Sequence, residues 1–169
     1  MESRPKIKLT LSPLDKALEL IGKIFLVFMW SLTLYVFIRL PTTIPIHFNT
    51  SGKVDNYGNK MTLLILPLIA TIIYFAITQL NKQPHIFNYM TIITKENAEK
   101  EYTGATRILR SLKLVILLIF SLINLFTYLT SSGVTNGLGF WILPMTFGLL
   151  LISAVVNIRQ SLKKKNNVD

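Results

Sequence analysis

Three stretches of the chain are apolar and almost free of charged residues, and polar segments separate them. They run from Ile24 to Ile38, from Met61 to Asn81, and over the 45 residues from Leu114 to Ile158. About 20 apolar residues span the roughly 30 Å hydrocarbon core of a bilayer, so the first two stretches each predict one membrane-spanning helix. The third would form a helix of about 68 Å at about 1.5 Å per residue. It must therefore contain two spans and a turn.

Local signals set the ends of these spans. The turn-forming residues 131–137 divide the third stretch in two. Ser12 and Asp15, with a proline between them, form an N-terminal capping pattern that predicts the start of the first helix. Prolines inside a helix kink it, so we expect kinks at Pro67 and Pro144.

The predicted fold is all-α: a polytopic membrane protein that forms a four-transmembrane-helix bundle with a short extracellular hairpin loop. Its spans lie at about residues 17–40, 61–80, 112–130 and 138–158, within a single integral membrane domain over residues 1–169. The composition agrees, because 51% of the residues are hydrophobic and only 15% are charged, whereas soluble domains have roughly 25% charged residues. This balance excludes a soluble enzyme domain, a disordered chain and a nucleic-acid-binding module. The chain has no cysteine, which excludes disulfides, thiolate nucleophiles and cysteine zinc sites.

The basic residues predict the orientation of the spans, because cytoplasmic flanks of membrane helices collect Lys and Arg. Fifteen of the eighteen Lys and Arg fall in the N-terminal segment, in the middle loop with its helix ends, or in the C-terminal tail. Only Arg39, Lys53 and Lys60 fall on the opposite side. We therefore expect both termini to be cytoplasmic and the loops at residues 40–60 and 131–137 to face outward.

The first outer loop, residues 40–60, has the pattern of a short hairpin. Two prolines hold its start extended, and residues 49–52 supply a turn. Three apolar residues alternate along one side of the extended segment: Ile44, Ile46 and Phe48. His47 would point to the other side and approach Asp55 across the turn. Imidazole and carboxylate are ordinary zinc ligands, so this pair is either a metal or proton site or, as we favour, a hydrogen bond that braces the loop.

The loop between the second and third spans predicts an amphipathic helix that leads into the third span. Its apolar positions recur at helical spacing: Ala98, Tyr102, Ala105, Leu109 and Leu112. Thr94 is placed to cap the start of this helix. Asn88 and Tyr89, just before it, are expected to hold the loop against the inner mouth of the bundle rather than to act as catalysts. A docking face for a cytoplasmic regulator is the alternative use of this helix.

Charged residues are expected to stay out of the membrane interior. At the start of the first helix, three residues share an apolar face: Leu14, Leu18 and Ile21. Glu19 and Lys23 can pair with each other at i, i+4 spacing. Asn124 is the one strongly polar residue deep in a span, and we expect it to hydrogen-bond to a neighbouring helix. The absence of a carboxylate or arginine at mid-depth counts against a pump or a proton-coupled carrier.

The outer loop resembles a domain of unknown function that is common in bacterial membrane proteins. The residues that carry the resemblance are Pro41, Ile44, Pro45, His47, Phe48, Gly52, Asp55 and Lys60. A second similar stretch, in the middle loop, comprises Phe87, Asn88, Tyr89, residues 93–97 and Tyr102. The resemblance covers residues 17–130 and implies a multi-pass protein of the bacterial cytoplasmic (inner) membrane, without implying a reaction. The same domain forms the N-terminal part of the SdpI-type immunity proteins, which protect a bacterium from its own secreted peptide toxin and carry further helices after it.

These observations favour a non-catalytic bacterial inner-membrane protein that recognises a partner through its first outer loop, in peptide-toxin immunity or in signalling. The binding candidates of the outer loop are Pro41, Pro45, His47, Phe48, Gly52, Asp55 and Lys60, and those of the cytoplasmic loop are Asn88, Tyr89, Glu96, Asn97 and Tyr102. Besides the lipid bilayer, the expected partner is a secreted peptide or another membrane protein, with no nucleic acid and no cofactor. Two alternatives stay open: a membrane metal-dependent protein or enzyme that uses His47 and Asp55, and an accessory subunit of a transporter. The sequence identifies no catalytic residue, no complete set of metal ligands and no oligomeric state.

Overall fold

A computed structural model describes residues 4–165, with the side chains of residues 4–152 and 155. This part of the chain is mostly helical and carries one small antiparallel sheet of two strands. In chain order the elements are α1 (Pro13–Arg39), β1 (Thr43–Phe48), β2 (Val54–Asn59), a 3₁₀ helix (Lys60–Leu64), α2 (Ile65–Leu80), a 3₁₀ turn (Pro84–Ile86), α3 (Ala98–Ser131) and α4 (Ile142–Lys165).

Three of these helical segments are long and apolar enough to cross a membrane: α1, the segment Lys60–Leu80 that contains α2, and α3. They match the first three predicted spans in length and composition, which supports the description of the chain as a membrane protein. In α4 the apolar run within the described side chains is shorter, Ile142–Ile152. The basic side chains predicted for the tail, Arg159 and Lys163 to Lys165, lie outside the described side chains.

The capping pattern at the start of α1 is confirmed. Ser12 is the N-cap, its hydroxyl accepts a hydrogen bond from the backbone N–H of Asp15, and the Asp15 carboxylate accepts from the backbone N–H of Ser12. The amphipathic lead-in to the third span is also confirmed, because α3 is continuous over 34 residues. At about 1.5 Å per residue α3 is about 51 Å long, so it extends well beyond a hydrocarbon core of about 30 Å.

The two prolines that were predicted to kink their spans occupy the same position in their helices. Pro67 is the third residue of α2, and Pro144 is the third residue of α4. Backbone N–H groups in the first turn of a helix have no intrahelical acceptor, so a proline there removes no helical hydrogen bond. Both prolines therefore lie where the helices begin. In the second span, the turn before Pro67 is the 3₁₀ helix Lys60–Leu64.

The apolar faces predicted for α1 and for the start of α3 are buried inside the bundle only in part. Leu14 and Ile21 are 46% and 41% exposed, whereas Asp15 is buried at 1% exposure. On α3, Ala98 and Tyr102 are fully buried, as the spacing predicted, whereas Ala105 and Leu109 are partly buried. Most of the other residues that α3 buries are polar and form a stripe: Thr106, Arg110, Lys113, Ser121, Asn124 and Thr127. Lipid tails are as apolar as leucine, so the bilayer can hold the apolar side chains while polar ones turn towards one another inside the bundle.

Two small apolar clusters hold the helices together. The first joins α1, α2 and α3 through Met29, Ala70, Tyr74 and Leu117. The second joins the end of α1 to the sheet and the 3₁₀ helix through Val36, Leu40, Ile44 and Leu63. The helix α3 contacts α1, α2 and α4, so it is the central element of the described bundle.

The connecting segments gather at two opposite ends of the bundle, as predicted. At one end, which we call the hairpin end, Leu138 of the α3–α4 loop donates its backbone N–H to the carbonyl of Gly52 over 2.8 Å. At the other, which we call the N-terminal end, the Tyr102 hydroxyl donates to the carbonyl of Pro5 over 3.1 Å. Residues 40–60 and 131–137 therefore lie on one side of the bundle, and the N-terminal segment and the middle loop lie on the other.

Candidate functional site

The hairpin at the hairpin end is built from β1 and β2, which pair antiparallel with Thr43 opposite Asn59 and Pro45 opposite Tyr57. The register then shifts between Pro45 and His47. An extra residue in one strand breaks the alternation of side chains between the two faces. As a result Ile44 is buried, at 1% exposure, whereas Ile46 is 39% exposed. The predicted alternation of apolar residues along one side of β1 is thus interrupted.

The turn between the strands is fixed by side-chain and backbone contacts. The Asn49 side-chain oxygen accepts hydrogen bonds from the backbone N–H groups of Ser51 and Lys53, each over 3.0 Å. Gly52 has a φ of 75° and packs against the backbone of Gly139 in the α3–α4 loop. A side chain at Gly52 would be strained by this φ and would collide with that backbone. Gly52 therefore has a structural reason to be glycine.

His47 and Asp55 contact each other across the hairpin, as predicted. His47 Nδ1 lies 2.6 Å from Asp55 Oδ1, and the two side chains are 66% and 40% exposed. Within the described residues, no group of three or more His, Cys, Asp or Glu side chains is placed to hold a metal ion. This geometry supports the interpretation that the contact between His47 and Asp55 braces the hairpin.

Lys60 joins the hairpin to the end of α1. Its ammonium group donates to the carbonyls of Phe37 and Leu40 over 3.1 and 3.2 Å, and lies 4.8 Å from the centroid of the Phe37 ring. The last carbonyls of a helix have no intrahelical donor, and a cation is favoured there by the helix dipole. Lys60 therefore acts as a cap for α1.

A cleft of about 410 Å³, which we call the hairpin cleft, lies beneath the sheet. Its walls come from β1, from the start of the second span, and from α3. Five consecutive hairpin residues line it: Ile44, Pro45, Ile46, His47 and Phe48. Of the predicted outer-loop candidates, Pro45, His47 and Phe48 are therefore brought together at the cleft, whereas Gly52, Asp55 and Lys60 shape the hairpin. Pro41 is exposed and is not among the lining residues.

Two buried polar residues of α3, Asn124 and Thr127, are among the residues that line the hairpin cleft. Asn124 is fully buried and donates from Nδ2 to Thr33 Oγ1 over 2.7 Å, which confirms the predicted hydrogen bond between neighbouring helices. The Asn124 side-chain oxygen has no hydrogen-bond partner in the described part of the chain. Buried polar groups are nearly always hydrogen-bonded, so this oxygen is an acceptor that a bound molecule or a water could satisfy. Sequence reasoning did not associate Asn124 with the outer loop, because the association depends on how the hairpin folds over α3.

At the N-terminal end, the predicted middle-loop candidates divide into structural and exposed residues. The Tyr89 hydroxyl donates to the carbonyl of Pro84 over 2.8 Å, and the Arg4 guanidinium lies 5.6 Å from the Tyr89 ring centroid. Burial raises the pKa of Tyr89 to about 12. Tyr102 is fully buried, whereas Asn88 is exposed. The expectation that this loop is held against the bundle is met by Tyr89 but not by Asn88.

The predicted cap at Thr94 is wrong. The helix α3 begins at Ala98, with Asn97 as N-cap and no side-chain cap. Asn97 instead ties the preceding loop together, because its side chain accepts from Thr94 N–H and donates to the carbonyl of Ile92, each over 2.9 Å. Glu96 is exposed, and a hydrogen bond with the Thr94 side chain lowers the pKa of its carboxyl.

An ionic cluster between α1 and α3 was missed by sequence reasoning. It contains two carboxylates and three cations: Asp15, Glu19, Arg107, Arg110 and Lys113. Asp15 accepts from Arg107 Nε over 2.9 Å, and Glu19 accepts from Arg110 Nε and Lys113 Nζ, each over 2.9 Å. The predicted Glu19–Lys23 pair is therefore replaced by contacts to α3. Helical spacing was the signal that could have revealed this cluster. The two acids are four residues apart on α1 and the three cations are three residues apart on α3, so each set lies on one face of its helix.

Comparison with known proteins shows that part of the chain resembles a known family, but no activity is assigned to that family. Residues 24–71 match the description "Domain of unknown function (DUF1648)". This segment contains most of α1, the hairpin and the start of α2, so the resemblance to a domain of unknown function is confirmed for the first motif. The second motif, in the middle loop, lies outside the match.

One relative is an uncharacterized protein of Archaeoglobus fulgidus. It is 34% identical over 94 residues, which covers 48% of this chain and 51% of the relative. The chain thus spans about half the length of this relative. No solved structure matches the chain.

Proposed function

We propose that this chain is a four-span, non-catalytic membrane protein that recognises an apolar peptide segment in the hairpin cleft, in peptide-toxin immunity or in signalling. The observation that carries this proposal is the cleft itself. Its volume of about 410 Å³ is within the usual range of ligand sites, about 300–1,000 Å³, which are mostly apolar with a few placed polar groups. An apolar side chain would fit between the hairpin and α3, and a donor on the ligand would satisfy the Asn124 oxygen.

The proposed role requires the hairpin to face the exterior of the cell. The excess of Lys and Arg on the opposite loops supports this orientation, and the second outer loop contacts the hairpin. The chain has no cysteine, so single cysteines can be introduced without background. We expect a membrane-impermeant thiol reagent to label Ser51→Cys in intact cells and to label Glu99→Cys only after the cells are opened. Labelling in the reverse pattern would refute the orientation.

The recognition role can be tested in a strain that lacks the gene. Complementation by the full chain should lower the strain's sensitivity to one or more envelope-active peptides in a panel. Phe48→Ala and His47→Ala, on the rim and wall of the cleft, should restore sensitivity. Tyr57→Ala is the matched control, since Tyr57 is a 62% exposed aromatic residue of the same hairpin that does not line the cleft.

Sensitivity that is unchanged by deletion across the whole panel would remove the immunity version of the proposal. The gene neighbourhood provides an independent test. A neighbouring gene for a small secreted peptide would support immunity, and a neighbouring repressor gene would support signalling.

A second candidate function is a metal-dependent one at the exterior face, and the short His47–Asp55 contact is the observation that favours it. Metal analysis of the purified chain distinguishes the two. Stoichiometric zinc in the full chain, lost in His47→Ala, would favour the metal site. Zinc-free protein that still protects cells would favour peptide recognition.

A further inference from the structure

A second cavity, separate from the hairpin cleft, lies at the N-terminal end and has a volume of about 460 Å³. The N-terminal segment supplies an apolar wall through Ile7, Leu9 and Leu11. Asn81 and Lys82 at the end of α2, together with Arg110 of α3, line it on the polar side. The cavity therefore places an apolar surface next to a polar one.

Two buried side chains on this cavity have unused hydrogen-bonding capacity. Asn81 is 9% exposed, and neither its side-chain oxygen nor its nitrogen has a partner in the described part of the chain. Arg110 is 4% exposed and donates from Nε to Glu19. Its two terminal nitrogens make no hydrogen bond within the described residues, and one of them lies 3.8 Å from Asp15 Oδ1. The buried Asn81 nitrogen is a donor without an acceptor in the described part of the chain, and such a donor is unfavourable, so the cavity favours an occupant that accepts hydrogen bonds.

The charge of the lining points to an anionic occupant. Three cations, Lys8, Lys82 and Arg110, line the cavity against one carboxylate, Glu19. That carboxylate is paired with Arg110 and Lys113, so the two lysines of the lining, Lys8 and Lys82, supply the excess positive charge. The guanidinium group presents donors in a planar fork that matches phosphate oxygens, and the Asn81 amide can add another donor.

We propose that this cavity binds a phosphate group. The apolar wall beside it fits the headgroup of an anionic phospholipid, whose glycerol and first acyl carbons would lie against Ile7 and Leu11. A soluble phosphate ester shares the same chemistry and is the other source. The site lies at the opposite end of the bundle from the hairpin cleft, so the proposal does not depend on the peptide-binding function.

The test uses the full chain, purified in a non-ionic detergent and freed of lipid. Thermal unfolding is followed by tryptophan fluorescence while dioleoyl phosphatidylglycerol is added to the micelles, with dioleoyl phosphatidylcholine as the zwitterionic comparison. Inorganic phosphate and glycerol 3-phosphate are added in separate titrations. We expect phosphatidylglycerol to raise the midpoint of unfolding in a saturable way and phosphatidylcholine not to. Saturable stabilisation by the soluble phosphates alone would assign the same site to a soluble ester.

Variants distinguish a specific phosphate site in this cavity from general attraction between the basic protein and an anionic lipid. Lys82→Gln should weaken the apparent affinity about fivefold, since a basic residue near an anionic lipid contributes about 1 kcal/mol, and Lys82→Arg should restore it. Asn81→Ala should weaken it as well without removing any charge. The matched control is Lys95→Gln, an exposed cation at the same end that does not line this cavity. The proposal is overturned if no phosphate compound stabilises the full chain, or if Lys95→Gln weakens binding as much as Lys82→Gln.

Discussion

At the scale of single residues, Asn124 has a structural role and a proposed role in recognition, and the two can be separated. Its nitrogen donates to Thr33 and holds α3 to α1, while its oxygen lies at the hairpin cleft without a partner in the described chain. Hydrogen bonds between membrane helices contribute about 0.6 kcal/mol on average, so the first role is modest in energy. The second role would affect recognition and leave the stability of the free protein nearly unchanged.

The first prediction concerns this hydrogen bond. A double-mutant cycle of Asn124→Ala and Thr33→Val should give a coupling energy of about 0.6 kcal/mol, measured by reversible unfolding in mixed micelles. Thr33 also donates to the carbonyl of Met29, which is why the cycle is needed rather than either single variant. A coupling energy of zero would mean that the bond does not hold α3 to α1.

A second prediction compares two glycines with the same backbone conformation. Gly52 and Gly133 have φ values of 75° and 73°, but only a side chain at Gly52 would meet other atoms, those of the Gly139 backbone. Gly133→Ala should cost about 1–2 kcal/mol, the usual penalty for this conformation. Gly52→Ala should cost clearly more, because the hairpin must also separate from the α3–α4 loop.

The free energies of unfolding of the two glycine variants provide the measurement, with the unmodified chain as reference. Equal losses in Gly52→Ala and Gly133→Ala would show that the contact between the two loops contributes nothing beyond the backbone strain. That result would also weaken the argument that the hairpin has a fixed position over its cleft.

At the scale of elements, α1 and α3 are held by ions as well as by apolar contacts. Lys113 has a side chain that is 1% exposed and contacts Glu19, Thr78 and the ring of Tyr74. Removing one partner of a buried ion pair leaves a charge uncompensated and costs about 3–5 kcal/mol. The stability of this helix pair should therefore be sensitive to the charge at Glu19.

The third prediction follows from this sensitivity. Glu19→Gln should destabilise the protein by about 2 kcal/mol, below the full cost of about 3–5 kcal/mol, because the Gln oxygen still accepts one hydrogen bond. Glu99→Gln is the control, an exposed carboxylate at the same end, and should change the stability by less than about 0.5 kcal/mol. Unfolding in mixed micelles measures both, and a smaller loss in Glu19→Gln than in Glu99→Gln would contradict the importance of the cluster.

The elements differ in how far the sequence could predict them. The long apolar segments were predictable because a helix needs about 20 apolar residues to cross a bilayer. The His47–Asp55 contact was predictable because a hairpin brings together residues that are close in sequence. The polar stripe that α3 buries was not, since apolar residues of a membrane helix need not face the protein interior. The partners of Asp15 and Glu19 lie about 90 residues further along the chain, and no local pattern specifies such pairs.

At the scale of the whole molecule, α3 connects two candidate sites that an apolar layer separates. Asn124 and Arg110 are 14 residues apart on its buried stripe, which corresponds to about 21 Å along the helix. Between them Leu117 packs against Met29, Ala70 and Tyr74. The polar groups of the stripe therefore do not form one continuous path in this structure, and the hairpin cleft and the N-terminal cavity are separate from each other.

The outer surface of the bundle carries exposed apolar side chains, and these predict which surface faces lipid. Val27 is 67% exposed on α1, whereas Met29, two residues along, is fully buried. In vesicles, a spin label at Val27→Cys should collide readily with oxygen, which concentrates in the acyl chains, and rarely with a water-soluble nickel chelate. A label at Met29→Cys should collide with neither, and one at Ser51→Cys, in the exposed turn, should collide mainly with the chelate. If the chelate reached Val27 as readily as Ser51, this face would be wet and α1 would not be a membrane span.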